Sequence, residues 1–169
     1  FENVAVLDCG LVKWKQEGRP VASETRTYPR GQFNYERRPH LVVNKEEVRA
    51  AIEDDNVVLI NSLSPADFNG ETNTYPRKGH IPTSENVFFG SHSDPATRLL
   101  FDDETLRATF EKIGALDSSK KVITYCGGGI AATWNALLLN KLGQENVAIY
   151  DGSMNEWAAD ATCPLVTKK

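Results

Sequence analysis

The feature that most constrains this chain is a cysteine at one kind of turn. Cys126 follows the apolar run Val122-Ile123-Thr124-Tyr125 and precedes three consecutive glycines, Gly127, Gly128 and Gly129, after which a helix-like stretch begins near Ile130. That is the pattern of a strand, a loop and a helix with a thiol at the bend. A group placed there faces the backbone N–H groups of the loop and the positive end of the next helix, which lowers a thiol pKa and stabilises an anion on sulfur. Glycines permit positive φ and leave no Cβ between those donors and the sulfur. The plain alternative is a small buried apolar residue beside a turn that only reverses the chain.

The surrounding pattern predicts where that loop sits. Asn44-Lys45-Glu46-Glu47 supplies an N-cap and an acidic third residue ahead of Val48, Ala51 and Ile52, the spacing of a short amphipathic helix. Residues 57–60 form a continuous apolar strand ending at Asn61, Ser64-Pro65 starts a helical turn through Phe68, and a short strand is expected around Asn86-Val87-Phe88. A helix follows over 102–113 with Leu106, Phe110 and Ile113 on one face. Another spans 130–142, stopped by Gly143, and residues 147–150 close the set. Short apolar strands alternating with helices predict a doubly wound α/β domain, its mostly parallel sheet covered by helices on both faces. Cys126 then lies at the carboxyl end of a strand, where such sheets place their sites.

The chain also contains a partial repeat. Glu2-Asn3-Val4-Ala5-Val6-Leu7-Asp8 parallels Glu145-Asn146-Val147-Ala148-Ile149-Tyr150-Asp151, and Trp14 follows Asp8 as Trp157 follows Asp151. Each copy then reaches a proline, Pro20 or Pro164, with one residue of slippage. An internal repeat outranks local propensity as a guide to architecture. Residues 1–20 are therefore expected to end an earlier domain of the same kind. Residues 21–40, with Tyr28-Pro29-Arg30-Gly31 and Arg37-Arg38-Pro39, read as a linker, and 41–169 as the domain that carries Cys126.

Composition narrows the partners. The 169 residues hold 19 Lys plus Arg against 23 Asp plus Glu, a net charge of -4, so a nucleic-acid partner is disfavoured. No apolar stretch approaches the roughly 18–20 residues needed to span a bilayer, and no charged-then-apolar leader opens the chain, so no membrane partner is expected. The first residue is Phe1 rather than methionine, which suggests a processed or partial chain. Three cysteines, Cys9, Cys126 and Cys163, with no CxxC, argue against a disulfide scaffold or a zinc site and favour a reducing, cytoplasmic setting. Cys9, in a turn, and Cys163, beside Pro164, read as structural.

Three segments, in this order, carry a family resemblance: Gly79-His80-Ile81-Pro82, then Tyr125-Cys126-Gly127-Gly128-Gly129-Ile130-Ala131-Ala132, then Tyr150-Asp151-Gly152-Ser153-Met154-Asn155-Glu156-Trp157. Together they resemble a rhodanese (sulfurtransferase) domain from about Val42 to the C-terminus, and the repeat makes the whole similar to the back part of a tandem rhodanese. The resemblance implies that Cys126 takes a sulfane sulfur from a donor such as thiosulfate, mercaptopyruvate or a persulfide. The resulting cysteine persulfide would pass it to a thiophilic acceptor such as cyanide, a thiol or a protein thiol. It implies an anion cradle of backbone N–H groups from Gly127, Gly128, Gly129, Ile130, Ala131 and Ala132, and no metal or organic cofactor.

The departures matter as much. Many thiosulfate-using relatives carry cationic residues in the two positions after the cysteine, where this chain has Gly127 and Gly128. Mercaptopyruvate-specific relatives usually have Thr or Ser where Ala131 stands, and arginines after the first strand, where this chain has Asn61-Ser62-Leu63 and, at the second position, a residue near Asp67. Thiosulfate is a dianion whose desolvation must be offset by positive charge. Either the donor is less charged, or Arg77 and Lys78, or Arg98, supply charge from another direction. Cysteine phosphatases on this fold end a longer loop in a phosphate-binding arginine, and Ala131 and Ala132 stand there instead, which disfavours that chemistry. A non-enzymatic persulfide carrier or sensor remains the rival to an enzyme. His80 is expected to make structural hydrogen bonds, Trp134 and Trp157 to pack, and Asp151 to cap the turn after the last strand.

Overall fold

The computed structural model describes residues 3–8 and 10–167. Its strands are β1 (Val42–Val43), β2 (Val57–Asn61), β3 (Glu85–Asn86), β4 (Lys121–Tyr125) and β5 (Val147–Tyr150). Its helices are α1 (Gly10–Gln16), α2 (Lys45–Ala51), α3 (Pro65–Asn69), α4 (Asp103–Glu111), α5 (Ile130–Lys141) and α6 (Ser153–Trp157). The sheet order is β1-β5-β4-β2-β3, and every pairing is parallel. β4 therefore lies in the middle, with all five of its residues in register with β2.

Alternation along the strands sends side chains to two cores. Leu59, Ile123, Tyr125, Ala148 and Tyr150 pack with Val48 of α2 and Met154 and Trp157 of α6. Val58, Ile60, Val122 and Val147 pack with Leu106 and Phe110 of α4 and Leu138 and Leu139 of α5. The sheet is covered by helices on both faces, as its apolar strands require. The strand expected at 86–88 is shorter and begins one residue earlier. After Asn86 the chain leaves the ladder for a 3₁₀ turn at Phe89–His92, with Phe89 N–H donating to Ser62 O.

The helix starts divide into two kinds. α2 opens on the reciprocal capping box foreseen in the sequence, Asn44 Oδ1 accepting from Glu47 N–H and Glu47 Oε2 from Asn44 N–H, each at 2.9 Å. Ser64 caps α3 at 3.1 Å and Asp102 caps α4 at 2.8 Å. α5 has no side-chain cap: its N-cap is Gly129, at φ +80°.

Residues 21–38 contain no helix or strand and are exposed. Within the N-terminal segment, Trp14 Nε1–H donates to Pro20 O at 2.8 Å, and the corresponding Trp157 Nε1–H donates to Pro164 O at 2.8 Å. No helix among the described residues is long and apolar enough to cross a membrane.

Asp67, on the first turn of α3, holds the loop that approaches the end of β4. Its carboxylate accepts from Ser64 Oγ at 2.6 Å, Thr72 Oγ1 at 2.6 Å and Thr74 Oγ1 at 2.8 Å. Partial burial alone would push this carboxyl up, but the three hydroxyl hydrogen bonds outweigh it and hold it below its ordinary value. A depressed folded-state pKa contributes stability above the ordinary carboxylate range, and that contribution is lost as pH falls through the folded value. The urea midpoint of the wild type should therefore drop on acidification below about pH 4. Asp67→Asn should be less stable at pH 7 and show a shallower acid decline; an unchanged slope would exclude this role.

Candidate functional site

Cys126 directly follows β4 at the carboxyl end of the sheet and is 3% exposed. The loop after it is clamped to the start of α6. Cys126 O accepts from Met154 N–H at 3.0 Å and Gly127 O from Asn155 N–H at 2.9 Å. Ser153, fully buried and at φ +50°, does more. Its Oγ accepts from Cys126 N–H at 3.1 Å and Gly129 N–H at 3.2 Å, while donating to Tyr150 O at 2.7 Å. One hydroxyl thus joins the ends of β4 and β5 to the N-terminus of α5.

This clamp revises the expected cradle. The Gly129 N–H is spent on Ser153 and does not belong to an open ring. The amides of Gly127, Gly128, Ile130, Ala131 and Ala132 donate to no protein acceptor among the described residues. The uncapped first turn of α5 adds the positive end of a 12-residue helix. Such an arrangement can hold a compact anion without a side-chain charge.

The three glycines fit their positions for two different reasons. Gly129 needs its positive φ, and a Cβ there would also strike Asp151 Oδ1. Gly127 and Gly128 have ordinary φ and are closely approached by side chains instead: a Cβ at 127 would lie 2.5 Å from Tyr75 Oη and one at 128 would lie 2.9 Å from Asn155 Nδ2, so either neighbour would have to shift. Asp151 rests against Gly129 rather than capping a turn, since α6 has Gly152 at its N-cap and no side-chain cap. Sequence reasoning missed Ser153, Asn155 and Tyr75. The first two lie in a segment whose motif was visible, but Tyr75 comes from a loop with no periodic pattern to place it.

Of the cations expected near the loop, Arg77 is bound elsewhere. Arg77 donates from Nε to Ala158 O at 3.0 Å, from Nη1 to Cys163 O at 2.9 Å, and from Nη2 to Trp157 O at 2.9 Å and Asp160 O at 2.5 Å. Its guanidinium is committed to the main chain after α6, which corrects the expectation that it binds substrate. Lys78 is exposed, and Arg98 is exposed at φ +64° in the 94–99 turn. Among the described residues, no Arg or Lys side chain donates to residues 126–132. His80 is structural: Nδ1–H donates to Phe68 O at 2.7 Å and the ring stacks on Phe68. Tyr125 anchors the next residue, its Oη accepting from Ile81 N–H at 3.1 Å and donating to Ser84 Oγ at 2.9 Å, and burial pushes its pKa up to about 12. Trp157 is fully buried and Trp134 packs at the edge of the second core. Cys163 is buried, which pushes its thiol up from its ordinary value. Cys9 lies outside the described residues.

The profile of the family described as "Rhodanese-like domain" matches residues 44–160, a span that runs from α2 to α6 and takes in β2 to β5 with the cysteine loop. This chain belongs to the rhodanese-like domain family. Among curated rhodanese-like relatives, it is 34% identical over 190 residues to thiosulfate/3-mercaptopyruvate sulfurtransferase 2 of Arabidopsis thaliana, covering 98% of this chain and 55% of that protein. It is 30% identical to 3-mercaptopyruvate sulfurtransferase of Escherichia coli strain K12, covering 97% and 58%. It is 28% identical to the sulfur carrier protein TtuD of Thermus thermophilus, covering 97% and 61%. The chain spans between about half and three fifths of these relatives' lengths. Among solved structures, the anaerobic ergothioneine biosynthesis enzyme of Chlorobium limicola superposes with a TM-score of 0.82 at 24% identity, covering 99% of this chain and 42% of that one. That likeness is one of rhodanese-like fold.

Three substitutions test this site's construction. Arg77→Ala should strip hydrogen bonds from partly buried carbonyls and lower unfolding free energy in urea by about 2–4 kcal/mol. Lys78→Ala should change it by less than about 0.5 kcal/mol. Ser153→Ala, which orphans two loop amides, should cost about 1–3 kcal/mol and accelerate hydrogen exchange at Cys126 and Gly129; unchanged exchange would refute the clamp.

Proposed function

We propose that this chain carries a sulfane sulfur as a persulfide on Cys126 and transfers it to a thiophilic acceptor. The observation that supports this reading best is the set of five unspent amides around a buried cysteine at the uncapped start of α5. A thiolate attacks the donor's outer sulfur, and the loop amides then hold the terminal sulfur anion until an acceptor removes it. No side-chain base is needed on the nucleophile if it reacts as the thiolate. The sulfurtransferase relatives support the same class of reaction.

The donor we favour is a low-molecular-weight or protein persulfide rather than thiosulfate. With Arg77 committed elsewhere and no cationic side chain on the loop, a dianion would rely on backbone dipoles alone for its desolvation. The same neutrality supports a second reading, a sulfur carrier that loads once and waits for a protein acceptor, and one relative is named as a sulfur carrier protein.

We also propose that residues 1–20 close a preceding rhodanese-like unit, with 21–40 as linker and 41–169 as the sulfur-carrying domain. The paired Trp–Pro hydrogen bonds support this. So does a contrast in burial: Val147, Tyr150 and Met154 are buried, whereas their repeat counterparts Val4, Leu7 and Leu11 are 72%, 56% and 56% exposed. Apolar positions of this kind are normally covered.

Intact mass tests the main proposal. The reduced protein should gain about 32 Da on Cys126 after brief exposure to a thiol persulfide, less readily with thiosulfate or mercaptopyruvate. The gain should be reversed by cyanide and absent from Cys126→Ser. Continued turnover identifies an enzyme, and one equivalent followed by arrest identifies a carrier. A gain that persists in Cys126→Ser, or none with any donor, overturns the proposal.

A further inference from the structure

Resting on the sulfur-transfer reading above, we propose that Tyr75 is a catalytic residue whose phenolic O–H donates a hydrogen bond to the sulfur leaving the donor as Cys126 takes the outer sulfur.

The geometry points to this hydroxyl specifically. A Cβ at Gly127 would lie 2.5 Å from Tyr75 Oη but 3.5 Å from Cζ, so the oxygen is the part of the ring that meets the loop. The ring packs against the core that contains Tyr125 and Met154. Its hydroxyl donates to no protein acceptor among the described residues, leaving the O–H available to a molecule at the loop. The phenol is also held in place from both sides. One residue before it, Thr74 Oγ1 donates to Asp67 at 2.8 Å; two residues after it, Arg77 is tied to four carbonyls. Pro76 stiffens the link between them. Burial, then the charges of Asp67 and Cys126, raise the tyrosine's pKa, so it remains protonated throughout the neutral range.

The chemistry supplies the need. With a donor R–S–SH, the Cys126 thiolate forms a bond to the outer sulfur, the donor's S–S bond breaks, and its electron pair departs on R–S⁻. The proton carried by the donor ends on R–SH, and Cys126–S–S⁻ remains in the cradle. Atoms and charge balance, and no oxidant or reductant enters. An alkyl thiolate is a basic leaving group, and charge develops on it in the transition state. With the loop amides assigned to the sulfur that stays, a separate donor serves the sulfur that leaves, and Tyr75 places a neutral O–H beside the loop at Gly127. In a loop without cationic side chains this contact selects persulfides of ordinary thiols.

The test varies the leaving group. Sulfur loading of Cys126 is timed by rapid-quench mass spectrometry for wild type and Tyr75→Phe, using glutathione persulfide, which expels an alkyl thiolate, and benzenethiosulfonate, which expels the far less basic benzenesulfinate. Tyr75→Phe removes only a hydroxyl with no protein partner, so folding should be retained, and matching urea midpoints check this. Loading from glutathione persulfide should slow by about tenfold or more, and loading from benzenethiosulfonate by less than about threefold. Equal slowing with both donors, or no slowing with either, overturns the role of Tyr75 while leaving sulfur transfer intact. Failure of the wild type to load from either donor overturns the sulfur-transfer reading and this proposal with it.

Discussion

The Ser153 hydroxyl decides which way the loop after β4 faces. It binds three main-chain groups that would otherwise be buried without partners or free to turn: two amides of the cysteine loop and the last carbonyl of β5. Because Cys126 N–H and Gly129 N–H point toward it, the intervening amides of Gly127 and Gly128 must point elsewhere. The helix that follows starts without a side-chain cap, although α2, α3 and α4 all have one. A capping Ser or Asp at position 129 would take up amides that the present arrangement leaves open.

Electrostatically the loop relies on dipoles. Fixed N–H groups at a helix start stabilise a small concentrated charge well and a spread dianion poorly, because their field falls off within the first turn. Asp151, against Gly129, adds a negative group at the rim. The neighbours that contact the loop are neutral or acidic, and the nearby arginine serves the chain after α6. That distribution is the ground on which a singly charged persulfide is proposed as donor in preference to thiosulfate.

Much of this was legible in the sequence because it is local. The capping box at Asn44 and Glu47, the apolar runs of β2 and β4, the Gly143 stop and the cysteine loop each depend on residues adjacent in the chain, and each formed where expected. Errors arose where distant segments meet. The sequence offers Arg77 as a source of charge for the cysteine loop, but its partners lie some 80 residues further along, at Trp157, Ala158, Asp160 and Cys163. Of the two reasons the sequence offers for the glycines, positive φ holds for Gly129 alone, and the need for no Cβ proves to concern remote side chains as well as the sulfur. For Gly127 and Gly128 the constraint is occupancy by Tyr75 and Asn155, and no periodicity announces which remote side chain will claim that space. Asp67 likewise gave no signal that three hydroxyls would converge on it.

The contact between Tyr75 and Gly127 also limits how such a loop can diverge. The space that a side chain at position 127 would need is the space the phenol holds, so a relative with a basic residue directly after its cysteine must first remove or displace this tyrosine. Charge directly after the cysteine and a phenol over the loop therefore compete for one volume within the same fold.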